Sequence, residues 1–327
     1  MIRLLVTTWL MAGFTVATAQ PRYVITDYHV SFGRQIQGGR AYLMLRRFRL
    51  EGEPYCLLVD PQTLATRLAP DPDPAAPTAP TLAALLRSGP ATPYERALLD
   101  ALSNAKPLQD AGIAHALPAE RGIVLTVDLC PSHKPLDRII FTDLLEQLGS
   151  IETPVPLALS VTGVWMREHP DDLAWVKDLI RAGRLNVTWI NHSFNHRVSP
   201  ARPMDQNFLL EPGTNLADEV LQTEVAMIAN GLLPSVFFRF PGLISDQDLV
   251  ERVVAFGLIP VGSDAWLAKG QMPNRGSIVL IHGNGNEPIG VRDFLELLRR
   301  RQADIRHRDW LLFDLREGVR AAEQSGR

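Results

Sequence analysis

The stretch GIVLTV, residues 122–127, decides the fold, because it is a short apolar run that ends at the polar Asp128. A run of this length, opened by glycine and rich in β-branched residues, predicts a strand buried on both faces. Amphipathic segments and further short apolar runs then take turns along the chain. We predict strands at 156–161, 185–190, 235–240, 258–261 and 277–281, and helices at 136–148, 171–182, 217–229, 247–256 and 291–301.

The alternation predicts the fold class. Strands separated by helices and short connections run parallel, which makes the chain an α/β protein. The number of repeated units is closer to a (β/α) barrel than to a two-unit sheet, and an open doubly wound sheet is the alternative. We assign this barrel to residues 119–327.

Residues 20–118 have a different pattern, which predicts a small β-rich region in front of the barrel. Short strands are expected at 23–26, 41–45 and 55–59, with a turn at 38–39. The Pro- and Asp-rich run 70–80 is expected to be a linker or exposed loop. A short helix should begin after Thr92, because Pro93 suits the first helical position and Glu95 follows three residues after the cap.

The first nineteen residues predict an export signal. Arg3 is followed by the apolar run 4–16 and by the small residues of 17–19, which are typical of a cleavage site. An uncleaved anchor or a buried strand is the alternative. We expect a periplasmic or extracellular protein with no membrane span after signal removal. The net charge of −3 offers no basic field for nucleic acid, and the oligomeric state does not follow from the sequence.

Only two cysteines occur, Cys56 and Cys130. In an oxidising compartment they could form a disulfide between the N-terminal region and the barrel, and two free thiols are the alternative.

Polar residues suited to catalysis follow the predicted strands. In a parallel barrel these carboxyl ends form the face that carries active sites. His192 and His196 are four residues apart, so that on one helical turn both rings could grip a divalent ion; two histidines packing a turn is the alternative. The full set of such residues is Asp128, His192, His196, Arg239, Asp264, Trp266 and His282.

These segments resemble the ordered motifs of the polysaccharide deacetylase (NodB-homology, carbohydrate esterase) family. The resemblance covers residues 122 to about 300 and is carried by TVDLCPS (126–132), HSFNH (192–196), RFPG (239–242), SDAW (263–266) and LIH (280–282). It implies a distorted (β/α) barrel and the metal-dependent removal of N-acetyl groups from amino-sugar polymers or oligomers, such as peptidoglycan or chitin-like glycans.

The resemblance also implies a role for each matching residue. Asp128 corresponds to the general base and His282 to the general acid, while Arg239 holds the base and Asp264 tunes the acid. His192 and His196 correspond to metal ligands; zinc is the expected ion, with cobalt or nickel as alternatives. Trp266 corresponds to an aromatic residue lining the sugar groove, to which we add Phe240 and Pro241 as substrate-binding candidates.

One position departs from the family pattern. The family has a second aspartate directly after the first, as the third metal ligand, and this chain has Leu129. Three outcomes are open: Asp128 becomes the ligand, Cys130 or water completes the set, or metal binding is lost. A glycan-binding barrel without turnover is therefore the alternative function, and a hydrolase of small non-sugar amides is a third.

Overall fold

A computed structural model describes residues 22–87, 91–116 and 121–321. The predicted export signal lies outside these ranges. The N-terminal region forms one antiparallel sheet in the order β1-β2-β3-β4. Its elements are β1 (Ile25–Gln37), β2 (Arg40–Leu50), β3 (Glu53–Val59) and β4 (Thr66–Pro70), followed by α1 (Leu82–Leu86) and α2 (Pro93–Ser103).

The remaining elements alternate as the sequence predicts. They are β5 (Gly122–Leu129), α3 (Ile139–Leu148), β6 (Val155–Val161), α4 (Gly163–Glu168), α5 (Pro170–Arg181), β7 (Leu185–Asn191), α6 (Leu216–Ala229), β8 (Pro234–Phe238), α7 (Gln247–Ala255), β9 (Ile259–Pro260), β10 (Ala265–Trp266), β11 (Ile278–His282), α8 (Pro288–Arg300), α9 (Gln302–Arg306), β12 (Leu311–Leu312) and α10 (Leu315–Ala321).

The second sheet is a distorted barrel. Its strands pair in parallel in the order β10-β11-β5-β6-β7-β8-β9, and β12 adds to β5. The segment 109–115 lies between its two edges, since Ile113 forms a bridge with Val261 beside β9 and His115 forms one with Ser277 beside β11. The predicted barrel class is confirmed, and part of its wall comes from the N-terminal region.

Side chains of β5 alternate between two apolar cores. Ile123, Leu125, Val127 and Leu129 pack in the outer cluster beneath α3 and α8, whereas Val124 belongs to the inner cluster. This is the period of two expected for a pleated strand with both faces covered. Asp128 therefore has the orientation of Val124, toward the barrel interior.

The N-terminal sheet is built onto the barrel. Phe32 and Leu45 share the inner core cluster with Val220 of α6. Arg46 and Glu224 of α6 form a fully buried ion pair with an N–O distance of 2.8 Å, and the Tyr28 hydroxyl donates to the same carboxylate. The predicted linker 70–80 runs back along this sheet, where Ala79 pairs with Phe32. The described N-terminal residues, 22–87 and 91–116, thus pack directly against the barrel.

Local expectations at the N-terminal region agree with the structure. Gly38 and Gly39 form the turn between β1 and β2 with positive φ, a conformation that glycine adopts without steric cost. The Thr92 hydroxyl accepts a hydrogen bond from the Glu95 backbone N–H at the start of α2. The described part of the chain contains no helix both long and apolar enough to cross a bilayer.

Candidate metal and catalytic site

The carboxyl ends of β5, β7, β8 and β11 bring the site together. Asp128 and His282 are register partners on adjacent strands, so their side chains lie on the same face of the sheet. His192 directly follows β7, and Arg239 directly follows β8. The barrel thus assembles residues that are more than 150 positions apart in the chain.

Cys130, His192 and His196 form one cluster. A ligand atom of each lies within 4.8 Å of the other two. The distance from Cys130 Sγ to His192 Nε2 is 3.5 Å. Tetrahedral zinc with Zn–S of about 2.3 Å and Zn–N of about 2.0 Å would place these atoms about 3.5 Å apart. The buried His196 Nε2 has no hydrogen-bond partner, which is costly unless a ligand satisfies it. The donor set therefore fits zinc.

The orientation of His192 also suits metal binding. Its Nδ1 lies 2.9 Å from the backbone carbonyl oxygen of Arg239, which can only accept a hydrogen bond. Nδ1 must therefore carry a proton, and Nε2 is the nitrogen that faces Cys130. Fixing the ring through a backbone carbonyl is the usual way in which a metal-binding histidine is oriented.

The two histidines do not share a helical turn, which corrects that part of the prediction. Residues 192–196 form an irregular loop in which Ser193 has φ 67° and His196 has φ 47°. The rings still face each other, with centroids 4.8 Å apart. Backbone N–H groups of this loop bond to side chains instead of to a preceding helical turn, and this contact pattern does not follow from spacing alone.

Leu129 is fully buried in the outer core, away from the three ligand candidates. Of the outcomes left open by the sequence, the one that the geometry supports is Cys130, the next residue to face inward. Cys130 and Cys56 are both buried, free thiols, so they form no disulfide. Although burial opposes ionisation, the histidines around Cys130, His196 foremost, lower its pKa well below the usual value, which favours the thiolate that binds metals.

Asp128 is held by Arg239. The guanidinium of Arg239 lies 3.2 Å from Asp128 Oδ1 and also donates to Thr126 Oγ1 and to the Gly262 carbonyl. The other carboxylate oxygen, Oδ2, is 3.7 Å from His192 Nε2. Burial alone would raise the pKa of Asp128, but the charge of Arg239, followed by that of His192, lowers it below its ordinary value. Asp128 is therefore an ionised carboxylate beside the ligand cluster.

His282 has a carboxylate partner that the sequence analysis missed. Its Nδ1 lies 2.8 Å from Glu287 Oε2, and the indole N–H of Trp266 donates to the same oxygen at 2.8 Å. Burial lowers the pKa of His282, yet Cys130 and Glu287 raise it well above the ordinary value. Glu287 follows His282 by five residues and directly precedes α8, and that proximity was the available signal.

Asp264 is not this partner, which corrects the predicted role. Its carboxylate accepts from His115 Nδ1 at 2.7 Å and from the backbone N–H of Ile278 at 3.0 Å. Ile278 is the first residue of β11 and His282 is the last. The Asp264 carboxylate therefore lies at the end of β11 opposite to His282. Asp264 joins the segment 109–115 to the barrel wall.

The predicted substrate-binding residues have little exposed surface. Phe240 is 1% exposed and packs edge-on against Phe238 with ring centroids 5.2 Å apart, so it belongs to the core. Pro241 is also buried. Because both side chains are buried, the predictions that they bind substrate are wrong. Trp266 is 8% exposed, and its ring lies 5.8 Å from that of His282.

Comparison with models of protein families finds no match for this chain. The chain is similar to several solved structures, among them the following three. A family 4 carbohydrate esterase from Bacillus anthracis is 20% identical, covers 71% of this chain and 94% of its own, and has a TM-score of 0.48. PdaA from Bacillus subtilis, a family 4 carbohydrate esterase, is 16% identical, with coverage of 65% and 86% and a TM-score of 0.45. BA3943 from Bacillus anthracis, a pseudoenzyme of the same family, is 17% identical, with coverage of 65% and 70% and a TM-score of 0.43.

These proteins belong to the family whose motifs the sequence resembles, and the set includes a pseudoenzyme. The chemistry of this chain rests on its own residues.

Proposed function

We propose that this chain is a metal-dependent hydrolase that removes acetyl groups from N-acetylated amino-sugar polymers. One observation carries the proposal: a Cys–His–His cluster lies beside an Arg-held carboxylate and a Glu-held histidine at the carboxyl ends of the barrel strands. Amide hydrolysis needs a polarised carbonyl, an activated water and a proton donor for the departing amine. Each of these functions has a candidate among these groups.

Cys130, His192 and His196 would hold the ion, and zinc is the expected one because it prefers nitrogen and sulfur ligands. When bound, the ion would supply Lewis-acid polarisation of the acetamide carbonyl and of the attacking water. Three protein ligands leave a further coordination position, which is the usual arrangement of a catalytic zinc site.

Asp128 would act as the general base. Arg239 holds one of its oxygens and keeps the group ionised, and the other oxygen remains directed toward the ligand cluster. That carboxylate would take a proton from water as the water oxygen bonds to the carbonyl carbon.

His282 would act as the general acid. Because Glu287 accepts the hydrogen bond from Nδ1, the proton on Nε2 of the imidazolium is the one that can be donated. It would protonate the leaving nitrogen as the C–N bond breaks. The products would be acetate and an ammonium group on the sugar, the acetic acid proton having passed to the amine. Transfer of the proton from Asp128 to His282 Nε2 would restore the carboxylate and the imidazolium.

We further propose export to the periplasm or cell surface, where such polymers occur, on the basis of the signal at residues 1–19. N-terminal sequencing of protein secreted from a host cell should begin near Gln20. Retention of the intact N-terminus in the cytoplasm would contradict this part of the proposal.

The central test combines metal analysis with acetate release. Protein purified without added chelator should contain about one zinc per chain and release acetate from N-acetylated chito-oligosaccharides or peptidoglycan. Chelation should abolish release, and zinc should restore it. The alternative of a glycan-binding barrel would be supported by a different outcome. In that case the folded protein would bind glycan, would take up none of zinc, cobalt and nickel, and would release no acetate. Release only from small non-sugar amides would change the substrate class.

A further inference from the structure

The loop that carries both histidine ligands cannot hold its shape by regular hydrogen bonding. Residues 192–196 lie in neither a helix nor a strand. Ser193 and His196 both have positive φ, a conformation that costs energy for residues other than glycine. In this conformation the His196 ring lies in the ligand cluster. The surrounding structure must therefore stabilise it.

Two carbonyl groups of the loop bond to α4. The Ser193 carbonyl accepts from the Gly163 N–H at 3.2 Å, and the Phe194 carbonyl accepts from the Val164 N–H at 3.0 Å. The Phe194 ring lies against Gly163, where a Cβ atom would come within 2.1 Å of the ring. One side of the loop is thus fixed by backbone groups and by the absence of a side chain.

On the other side, Glu219 of α6 satisfies the donors of the loop. Its Oε2 accepts from the backbone N–H groups of Phe194 at 2.9 Å and Asn195 at 2.8 Å, and its Oε1 accepts from Asn195 Nδ2 at 2.7 Å. Glu219 is 5% exposed. A buried carboxylate is retained at this position only because three donors compensate its desolvation. These hydrogen bonds of Glu219 go to the two residues that precede His196, and none of them involves the imidazole ring of His192 or His196.

We propose that Glu219 is the positioning residue that shapes the metal-binding loop and so sets the zinc affinity of the site. The inference rests on the proposed function, since it concerns the metal site described there. Without the carboxylate, the N–H groups of Phe194 and Asn195 lose their partners, and the backbone at His196 is free to relax toward negative φ. Zinc binding then has to order the loop, and this cost lowers the zinc affinity.

Two substitutions separate the effect of the length of the Glu219 side chain from the effect of its charge. Glu219→Gln keeps the side-chain length, and its amide oxygen can accept both backbone N–H groups while Asn195 turns its amide to match. Glu219→Asp keeps the charge but shortens the side chain by about 1.5 Å. We expect Glu219→Gln to bind zinc nearly as well as the wild type and Glu219→Asp to bind about 10–100-fold more weakly.

Zinc affinity should be measured by equilibrium competition with a chromophoric chelator, and the d–d absorption of the cobalt-loaded protein reports the ligand geometry independently. Glu219→Asp should alter that spectrum, whereas Glu219→Gln should retain it. Thr223→Val is the matched control, because Thr223 is buried on the same helix and bonds to the Glu219 carbonyl, not to the loop. This control should bind zinc as the wild type does.

The outcomes distinguish the two proposals. A wild-type protein that binds no zinc refutes the proposed function. A wild-type protein that binds zinc, together with a Glu219→Asp variant of equal affinity and unchanged cobalt spectrum, overturns only the role of Glu219. Equal losses in Glu219→Asp and Thr223→Val also overturn it, because they would indicate a general effect of α6. Circular dichroism shows that each variant is folded before its affinity is compared.

Discussion

Replacing Glu287 by glutamine should weaken the general acid without disturbing the metal. Glu287 Oε2 accepts from both His282 and Trp266, so the amide oxygen of glutamine can occupy the same place while the negative charge is lost. A hydrogen bond to a charged group is worth about 1.5–3 kcal/mol. Since the Glu287 side chain is 31% exposed, we take the lower part of this range, about 1.5–2 kcal/mol, which corresponds to a fall in kcat of about 10–30-fold.

The assay is acetate release as a function of pH, with zinc content measured on the same samples. The acid must be protonated, so kcat falls as pH rises through the pKa of His282. Cys130 and Glu287 both raise that pKa. Neutralising Glu287 removes its part of the effect and should move the high-pH limb toward lower pH while the zinc content stays constant. Asp264→Asn is the matched control, because Asp264 contacts His115 and Ile278. The assignment of Glu287 is refuted if its variant keeps both kcat and the high-pH limb, or if Asp264→Asn loses as much activity.

Three further changes test other parts of the structure. Cys130→Ser should lower the zinc affinity at least 100-fold, because loss of a direct ligand should cost at least as much as loss of an outer-shell partner. Cys56→Ser, which changes the other buried free thiol, should leave the zinc content unchanged. Equal zinc binding by both variants would exclude Cys130 as a ligand. Asp128→Asn should keep the ion and reduce acetate release about 10²–10⁴-fold, and unchanged release would remove Asp128 from the mechanism. Arg46→Met should lower the free energy of unfolding by about 3–5 kcal/mol in denaturant titrations, because it leaves the buried Glu224 carboxylate without its cation. The double variant Arg46→Met, Glu224→Leu should recover most of this loss. If it recovers none, the unpaired carboxylate is not the cause of the destabilisation.

The barrel and much of the site could be predicted because they depend on periodicity and on strand ends. Apolar runs separated by amphipathic segments were enough to place β5, β7 and β11 within a few residues. Since parallel strands all end on one face, Asp128, His192 and His282 could be expected to meet there. These inferences need only local pattern and general topology.

The supporting contacts could not be predicted, since they depend on distances between separate elements. Nothing in the spacing of Asp264 shows that its carboxylate reaches His115, 149 residues away. Glu219 looks like an ordinary acidic residue in the first part of a helix, and only the fold brings it under the loop of His196. The positive φ angles in that loop depend on its contacts with α4 and α6. They could not be predicted, because neither Ser193 nor His196 is a glycine.

The departure from the family motif at Leu129 leads to a prediction opposite to the one that the motif suggests. Ile123, Leu125, Val127 and Leu129 all face the outer core, so strand alternation directs position 129 away from the ligands and position 130 toward them. Leu129→Asp, which restores the aspartate of the family motif, should therefore not increase zinc affinity. It should lower the free energy of unfolding by about 3–5 kcal/mol in denaturant titrations, as an unpaired buried charge does, and more than Leu129→Asn, whose neutral amide costs about 1–3 kcal/mol to bury. Tighter zinc binding and faster acetate release in Leu129→Asp would show that the carboxylate reaches the ion, and the orientation of this strand end, with Cys130 as the third ligand, would then be wrong.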